Sequence, residues 1–167
     1  MEIHRSWRSW DFKKIFGIVY FVALFIYLVV GLTPAKASDY EAATEISIPA
    51  IDLRSDVVTV NMVGNELPTP EEIVGRFTWA KHKTLLIGHA STVFPRLKEL
   101  QVGSTIYYDG DIYTVSQMEI LAKADISMNK VLAAAEQDTI IIMTCAGKDL
   151  GGGDATHRLI VTAVVNE

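Results

Sequence analysis

The chain is poor in cysteine, with Cys145 the one example among 167 residues. That excludes an internal disulfide and any cysteine-rich zinc site. Basic residues are also in deficit, 15 Lys and Arg against 20 Asp and Glu, for a net charge of −5. Residues 1–14 carry Arg5, Arg8, Lys13 and Lys14 against Glu2 and Asp11, a local +2, so the rest of the chain carries −7. An acidic body lacks the basic face on which a protein tracks nucleic-acid phosphates, and no nucleic-acid partner is expected. No internal repeat is visible. Long amphipathic helical patterns are missing too, which argues against alternating βαβ units. At this length, with half the residues apolar, the chain holds one domain and at most one extra segment.

The extra segment is at the N-terminus. Ile15 to Leu32 is an eighteen-residue run without a charge, which as a helix spans roughly 27 Å, about the thickness of a bilayer core. Four Lys or Arg precede it and only Lys36 follows closely. Residues 1–14 are therefore expected in the cytoplasm and the body outside, on a single-pass membrane protein. A cleaved signal peptide is the competing reading, because Ala35-Lys36-Ala37 has the small-x-small form of a cleavage site. The run exceeds the roughly 7–15 apolar residues of a signal peptide's core, which favours a retained anchor. Residues 33–44 read as a tether, and residues 45–167 as the functional domain.

In that domain the apolar runs are short and strand-like. Glu45 to Ile48 alternates until Pro49 interrupts it, and Val58, Val60 and Met62 alternate in a second strand. Thr69-Pro70-Glu71-Glu72 reads as an N-cap, a first-turn proline and a capping-box glutamate, which predicts a short helix ending near Gly75. Lys83 to Ile87 forms another strand, finishing at Gly88-His89. The three-residue spacing of Phe94, Leu97 and Leu100 predicts one inward-packed helical turn. Asp109-Gly110-Asp111 between Thr105–Tyr108 and Ile112–Ser116 predicts a hairpin. Ser127 to Ala135 has helix formers behind a capping Ser127 or Asp125. About seven strands with two or three minor helices suit an all-β barrel or sandwich.

The chemistry gathers on the run Thr139 to Gly147. Ile140 to Met143 is apolar on both faces, as in a strand buried on both sides, and Ala146-Gly147 breaks it just after Cys145. The thiol should therefore emerge at a rim. A free cysteine of pKa near 8.5 is only a few per cent thiolate at neutral pH, so a nucleophile needs a neighbouring base or cation. His89, also at a strand end, is the candidate base. Arg158 opens the next apolar strand, Leu159 to Val165, and would share the rim if the two strands pair antiparallel. Its fork of donors suits an oxyanion. The alternative for Cys145 is a small buried hydrophobe, the common fate of a free cysteine. His82 sits between two lysines and reads as a solvated surface residue, His4 falls on the other side of the membrane, and His157 should face away from Arg158. Lys148 to Asp154, with Gly151-Gly152-Gly153, reads as a mobile loop.

These residues resemble the sortases, membrane-anchored cysteine transpeptidases of Gram-positive-type cell envelopes, over about residues 45–165. The carriers are Ile48-Pro49-Ala50-Ile51, Ile87-Gly88-His89 with Phe94, Leu97 and Leu100 behind it, Val102 to Ile106, Met143-Thr144-Cys145, and Arg158 to Val161. The chain departs from the family's Thr-Leu-x-Thr-Cys pattern at Ile141 and Ile142. The resemblance implies a closed eight-stranded β-barrel with Cys145 as nucleophile, His89 as proton donor and acceptor, and Arg158 as oxyanion and substrate anchor, with Thr144 and Ala146 expected at the substrate. It also implies attack on the Thr-Gly bond of a motif similar to Leu-Pro-x-Thr-Gly in surface proteins, and a thioacyl enzyme resolved by an amine from a cell-wall precursor or a protein lysine. No cofactor or metal is implied. Pilin-polymerising members often carry an Asp-Pro-aromatic lid motif, which Ser38 to Glu45 does not contain, so an anchoring role is favoured.

Two readings from other classes compete: a cysteine hydrolase that releases envelope peptides to water, and an idle membrane-tethered β-domain that displays a binding surface. A cysteine L,D-transpeptidase is disfavoured, because its Ser/Thr-His-Gly-Cys motif does not occur in the chain. If the apolar run is a retained anchor, N-terminal sequencing of the membrane-fraction protein will recover residues ahead of Ile15. A mature terminus at Ser38 would overturn that reading.

Overall fold

The computed structural model describes residues 44–64 and 66–166. The expected membrane segment and nearly all of the tether lie outside them. Among the described residues no helix is long and apolar enough to cross a membrane.

Eight strands close into a barrel. They are β1 (Thr44–Ile48), β2 (Leu53–Thr59), β3 (Val74–Ala80), β4 (Lys83–Ile87), β5 (Thr105–Tyr108), β6 (Asp111–Ala122), β7 (Thr139–Gly151) and β8 (Asp154–Val165). Around the barrel the order is β1-β2-β3-β4-β7-β8-β6-β5, and β5 closes onto β1. The β2–β3 and β4–β7 pairs are parallel, while the other pairs are antiparallel. The two parallel seams need crossover connections, and residues 88–138, which include β5 and β6, supply the one from β4 to β7.

The alternation of strand side chains explains why the central strands are apolar throughout. Ile140 and Ile142 of β7 point into the barrel with Leu86, Leu159, Val161 and Ala163. Ile141 joins Leu85, Ile87, Phe77 and Ile160 in a second cluster on the outer face. Leu67, Ile73, Ile126, Val131 and Leu132 from the connecting segments pack over that outer cluster. β4 and β7 are thus covered on both faces, the situation in which a strand loses its polar alternation. At Asp109-Gly110, φ is 56° and 87°, the paired left-handed conformation of the tight turn that the sequence motif favours, and the β5–β6 hairpin forms as expected. The inward turn expected at Phe94, Leu97 and Leu100 is also present, with a single 3₁₀ turn at Leu97–Glu99 and all three side chains buried.

Three expectations are corrected. Thr69 to Glu72 starts no helix: residues 71–73 bend and pass directly into β3, the strand that the sequence reading missed. Gly75 lies within β3, where a Cβ would stand 2.9 Å from Pro70 Cδ, so the proline packs across the strand instead of opening a helix. The expected second strand ends at Thr59. Val57 and Val58 are both buried, one on each barrel face, and Met62 is exposed. The helix expected over Ser127 to Ala135 shrinks to a four-residue α1 (Met128–Val131), and Ser127 makes no side-chain cap. Beyond it the Ala135 amide donates to the Lys81 carbonyl, a tertiary contact that draws the chain off the helical path toward β7.

Gly88 is where the fold meets the rim. A Cβ there would lie 2.8 Å from both Phe94 Cε2 and Val93 Cγ1, so the 88–94 turn closes only on glycine. Gly88→Ala is expected to destabilise the domain by about 1–3 kcal/mol, as overpacking of a tight core does. Urea unfolding reads this directly, and an unchanged midpoint would count against the packing described.

Candidate active site

β4 and β7 run parallel with Ile87 level with Met143, so the residues that follow each, Gly88-His89 and Thr144-Cys145, leave the barrel at the same end. Thr144 is buried, and its hydroxyl donates to the Gly88 carbonyl at 2.7 Å. This bond ties the cysteine strand to the histidine turn. The His89 carbonyl accepts the amides of Val93 and Phe94 at 3.0 and 2.9 Å, which holds the backbone at His89 over the buried Phe94.

On the other side β7 pairs antiparallel with β8, and Cys145 is directly opposite Arg158. Directly paired residues project on the same face of a sheet, so thiol and guanidinium share one side. Cys145, His89 and Arg158 line one cavity of about 120 Å³. A second cavity of about 310 Å³ also reaches His89 and Cys145, and is walled by Ser91, Gly147, Asp149 and Asp154. Thr144 borders the smaller cavity and Ala146 the larger. His157 borders neither. It faces Ala146 across the ladder, lies against Gly147 and bonds Thr156 Oγ1. His82 is in the β3–β4 turn, paired with Asp138 at 2.6 Å, well away from the rim.

The stretch 148–154 is not the loose loop the sequence suggested. β7 and β8 continue past the rim as a bulged two-stranded ribbon that turns at Gly152-Gly153. Gly153, at φ 79°, folds back over the site: its carbonyl accepts the Cys145 thiol proton at 3.3 Å. A Cβ there would meet His89 Cε1 at 3.3 Å. Both cavities are lined by Gly153 as well as by His89 and Cys145.

Sequence reasoning also missed Asp154 and Lys123. Asp154 Oδ1 accepts from Arg158 Nη2 at 2.6 Å and from the Ala155 amide at 2.9 Å, while Oδ2 takes Lys123 Nζ at 2.7 Å. The hydrogen bond from the Lys123 ammonium, followed by those from Arg158 and the Ala155 amide, holds the Asp154 carboxyl well below the usual carboxylate range. A four-residue offset on one strand face was the only available signal, and it means little until the strand is known to begin at Asp154.

The match to known proteins is decided by the domain itself: the family model described as the Sortase domain covers residues 46–166. The chain belongs to the sortase family. This sortase is similar in fold to sortase A from Corynebacterium diphtheriae, at 22% identity and a TM-score of 0.60, over 78% of this chain and 63% of that one. It is also similar to Listeria monocytogenes sortase A, at 17% identity and a TM-score of 0.58, over 75% of this chain and 88% of the other. Sortase C1 of Streptococcus agalactiae matches at 17% identity and 0.61, over 95% of this chain and 89% of the other. No curated protein matches it in sequence. The closed eight-stranded barrel expected from the resemblance is the one observed.

Because the Asp154 carboxyl is held low in the folded state, its stabilising contribution is complete above the ordinary carboxylate pKa of about 3.9 and is lost as pH falls below it. The melting-temperature gap between the parent and Asp154→Asn should therefore be constant from pH 5 to 8 and close on acidification below about pH 4. A gap that persists at low pH would mean the carboxylate charge is not what holds the ribbon.

Proposed function

We propose that this sortase is a cysteine transpeptidase of the cell envelope, with Cys145 as nucleophile, His89 as general acid and base, and Arg158 as oxyanion donor. Family membership supports sortase-type transpeptidation in general. The observation that carries the residue assignment is the ladder pairing of Cys145 with Arg158, with His89 emerging beside them from the parallel β4.

In the reaction His89 takes the Cys145 thiol proton, and the thiolate attacks the carbonyl carbon of the threonine in a motif similar to Leu-Pro-x-Thr-Gly. Arg158 donates to the oxygen as it becomes an oxyanion. Collapse breaks the Thr-Gly C–N bond, the departing glycine amine takes a proton from His89, and a thioester remains on Cys145. An amine then attacks the thioester, His89 accepts its proton, and the Cys145 thiolate leaves as a new amide forms. The substrates in this reading are surface proteins held at the outer face of the membrane, where residues 15–32 would anchor the enzyme with its N-terminus in the cytoplasm. The amine comes from a cell-wall precursor or a protein lysine, and anchoring is favoured over pilus polymerisation.

For the thiol to act, its S–H must leave the Gly153 carbonyl that it is donated to. Substrate entering either cavity would compete for that position.

Mass spectrometry of the full chain incubated with a sorting-peptide library should detect a thioacyl adduct on Cys145. Product should then depend on added amine; release to water at the same rate with or without amine would instead make the protein a hydrolase. His89→Ala should lower acylation by a factor on the order of 10² to 10⁴, whereas His82→Ala should change little, and equal losses would overturn the assignment. Arg158→Lys keeps the charge but loses the planar fork. It should cost about 10² to 10³ in acylation rate with the melt retained. His157→Ala should spare acylation. A folded Arg158→Lys variant that acylates at the parent rate would remove Arg158 from the site.

A further inference from the structure

An oxyanion donor is useful only if it is already aimed when charge develops, and an arginine side chain has considerable rotamer freedom to lose. Arg158 is mostly buried, with its side chain 16% exposed, and three of its donors are spent within the ribbon. Nη1 donates to the Ala155 carbonyl at 2.9 Å and the His157 carbonyl at 3.0 Å, and Nη2 donates to Asp154 Oδ1 at 2.6 Å. A guanidinium has five N–H groups. The Nε–H and one Nη2–H therefore remain for a substrate in the cavity that Arg158 lines beside Cys145.

We propose, resting on the transpeptidase reading above, that Asp154 is a positioning residue that orients the Arg158 guanidinium for the acylation step, with Lys123 offsetting its charge. The two carbonyls pin one end of the fork, and the Asp154 carboxylate fixes its rotation. A bare carboxylate beside the arginine would cancel the charge the oxyanion needs. Lys123, from the 3₁₀ turn Lys123–Asp125 after β6, binds the other carboxylate oxygen and leaves the trio with a net charge of +1. Asp154 thus supplies direction without neutralising the site. Because it opens β8 immediately after Gly153, the same contact sets where the ribbon's turn lies over the thiol.

The test uses the full chain with a sorting peptide, and Asp154→Asn keeps the size of the side chain while removing its charge. Its acylation kcat should fall on the order of 10- to 100-fold, the scale of a misplaced catalytic group, with KM within about twofold. In an Arg158→Lys background the same change should cost nothing further, because its effect runs through the guanidinium. Equal losses in both backgrounds, or parent-like kcat, would overturn the proposal. Lys123→Met should slow acylation more at low salt than at high salt, since ions screen the uncompensated carboxylate; a rate unchanged at both would remove Lys123 from the arrangement. Independently of activity, the Arg158 Nη signals in ¹⁵N NMR should be resolved in the parent and averaged by rotation in Asp154→Asn. Signals that stay resolved would show that the two carbonyls suffice and Asp154 positions nothing. If the parent forms no thioacyl adduct at all, the transpeptidase reading fails while the NMR comparison still decides the part of Asp154.

Discussion

The burial of β7 on both faces is the constraint on which the rest of the molecule depends. Ile140 and Ile142 fill the barrel and Ile141 faces the outer cluster, each nearly or fully buried. At about 1.5–3 kcal/mol per large aliphatic side chain, this run outweighs any local preference of its neighbours. A strand so covered must sit between two others, and it pairs with β4 on one side and β8 on the other. Its first residues beyond the apolar stretch are then flanked by the end of β4 and by the paired position on β8. Cys145 acquires His89 and Arg158 as neighbours for the same reason that Ile141 acquires Leu85 and Ile160.

Around that arrangement the polar interactions divide their work. The buried Thr144 hydroxyl on the Gly88 carbonyl joins the cysteine and histidine segments through a neutral bond that needs no counter-charge. Arg158 brings a charge that cannot be shed, and its ribbon supplies two backbone carbonyls and one carboxylate to hold it. The ribbon also reaches the thiol, through Gly153. The contacts to the thiol and to the guanidinium thus come from adjacent residues, Gly153 and Asp154, of one short turn.

Much of this was legible in the residues. The hairpin at Asp109-Gly110 follows from two positions that need left-handed φ, the inward turn at Leu97 from three-residue apolar spacing, and the rim placement of Cys145 from an apolar run that ends in Ala146-Gly147. Where the reading failed, a local signal was overruled by a tertiary one. The Thr69-Pro70-Glu71-Glu72 motif is a sound helix start in isolation, but the residues behind it pair with both β2 and β4, and eight ladder partners outweigh a cap. The helix after Ser127 is cut to four residues where the chain is drawn toward β7. Gly151 to Gly153 read as slack because glycine permits it, although paired strands on either side hold the turn in one place.

The sequence by itself determined most of the strands, with β3 and the 148–154 ribbon the exceptions, and the placing of Cys145, His89 and Arg158 at strand ends, because these depend on patterns within a few residues. The tertiary structure alone decided that Cys145 and Arg158 are paired across one ladder, that Gly153 lies on the thiol, and that Asp154 bridges the Arg158 guanidinium and the Lys123 ammonium. Those relations depend on strand pairing and register between segments far apart in the chain, as with Lys123 and Asp154, 31 residues apart. Side-chain periodicity fixes which face a residue takes, but not which residue stands opposite, and that is set only when the barrel closes and the apolar faces of all eight strands are buried together.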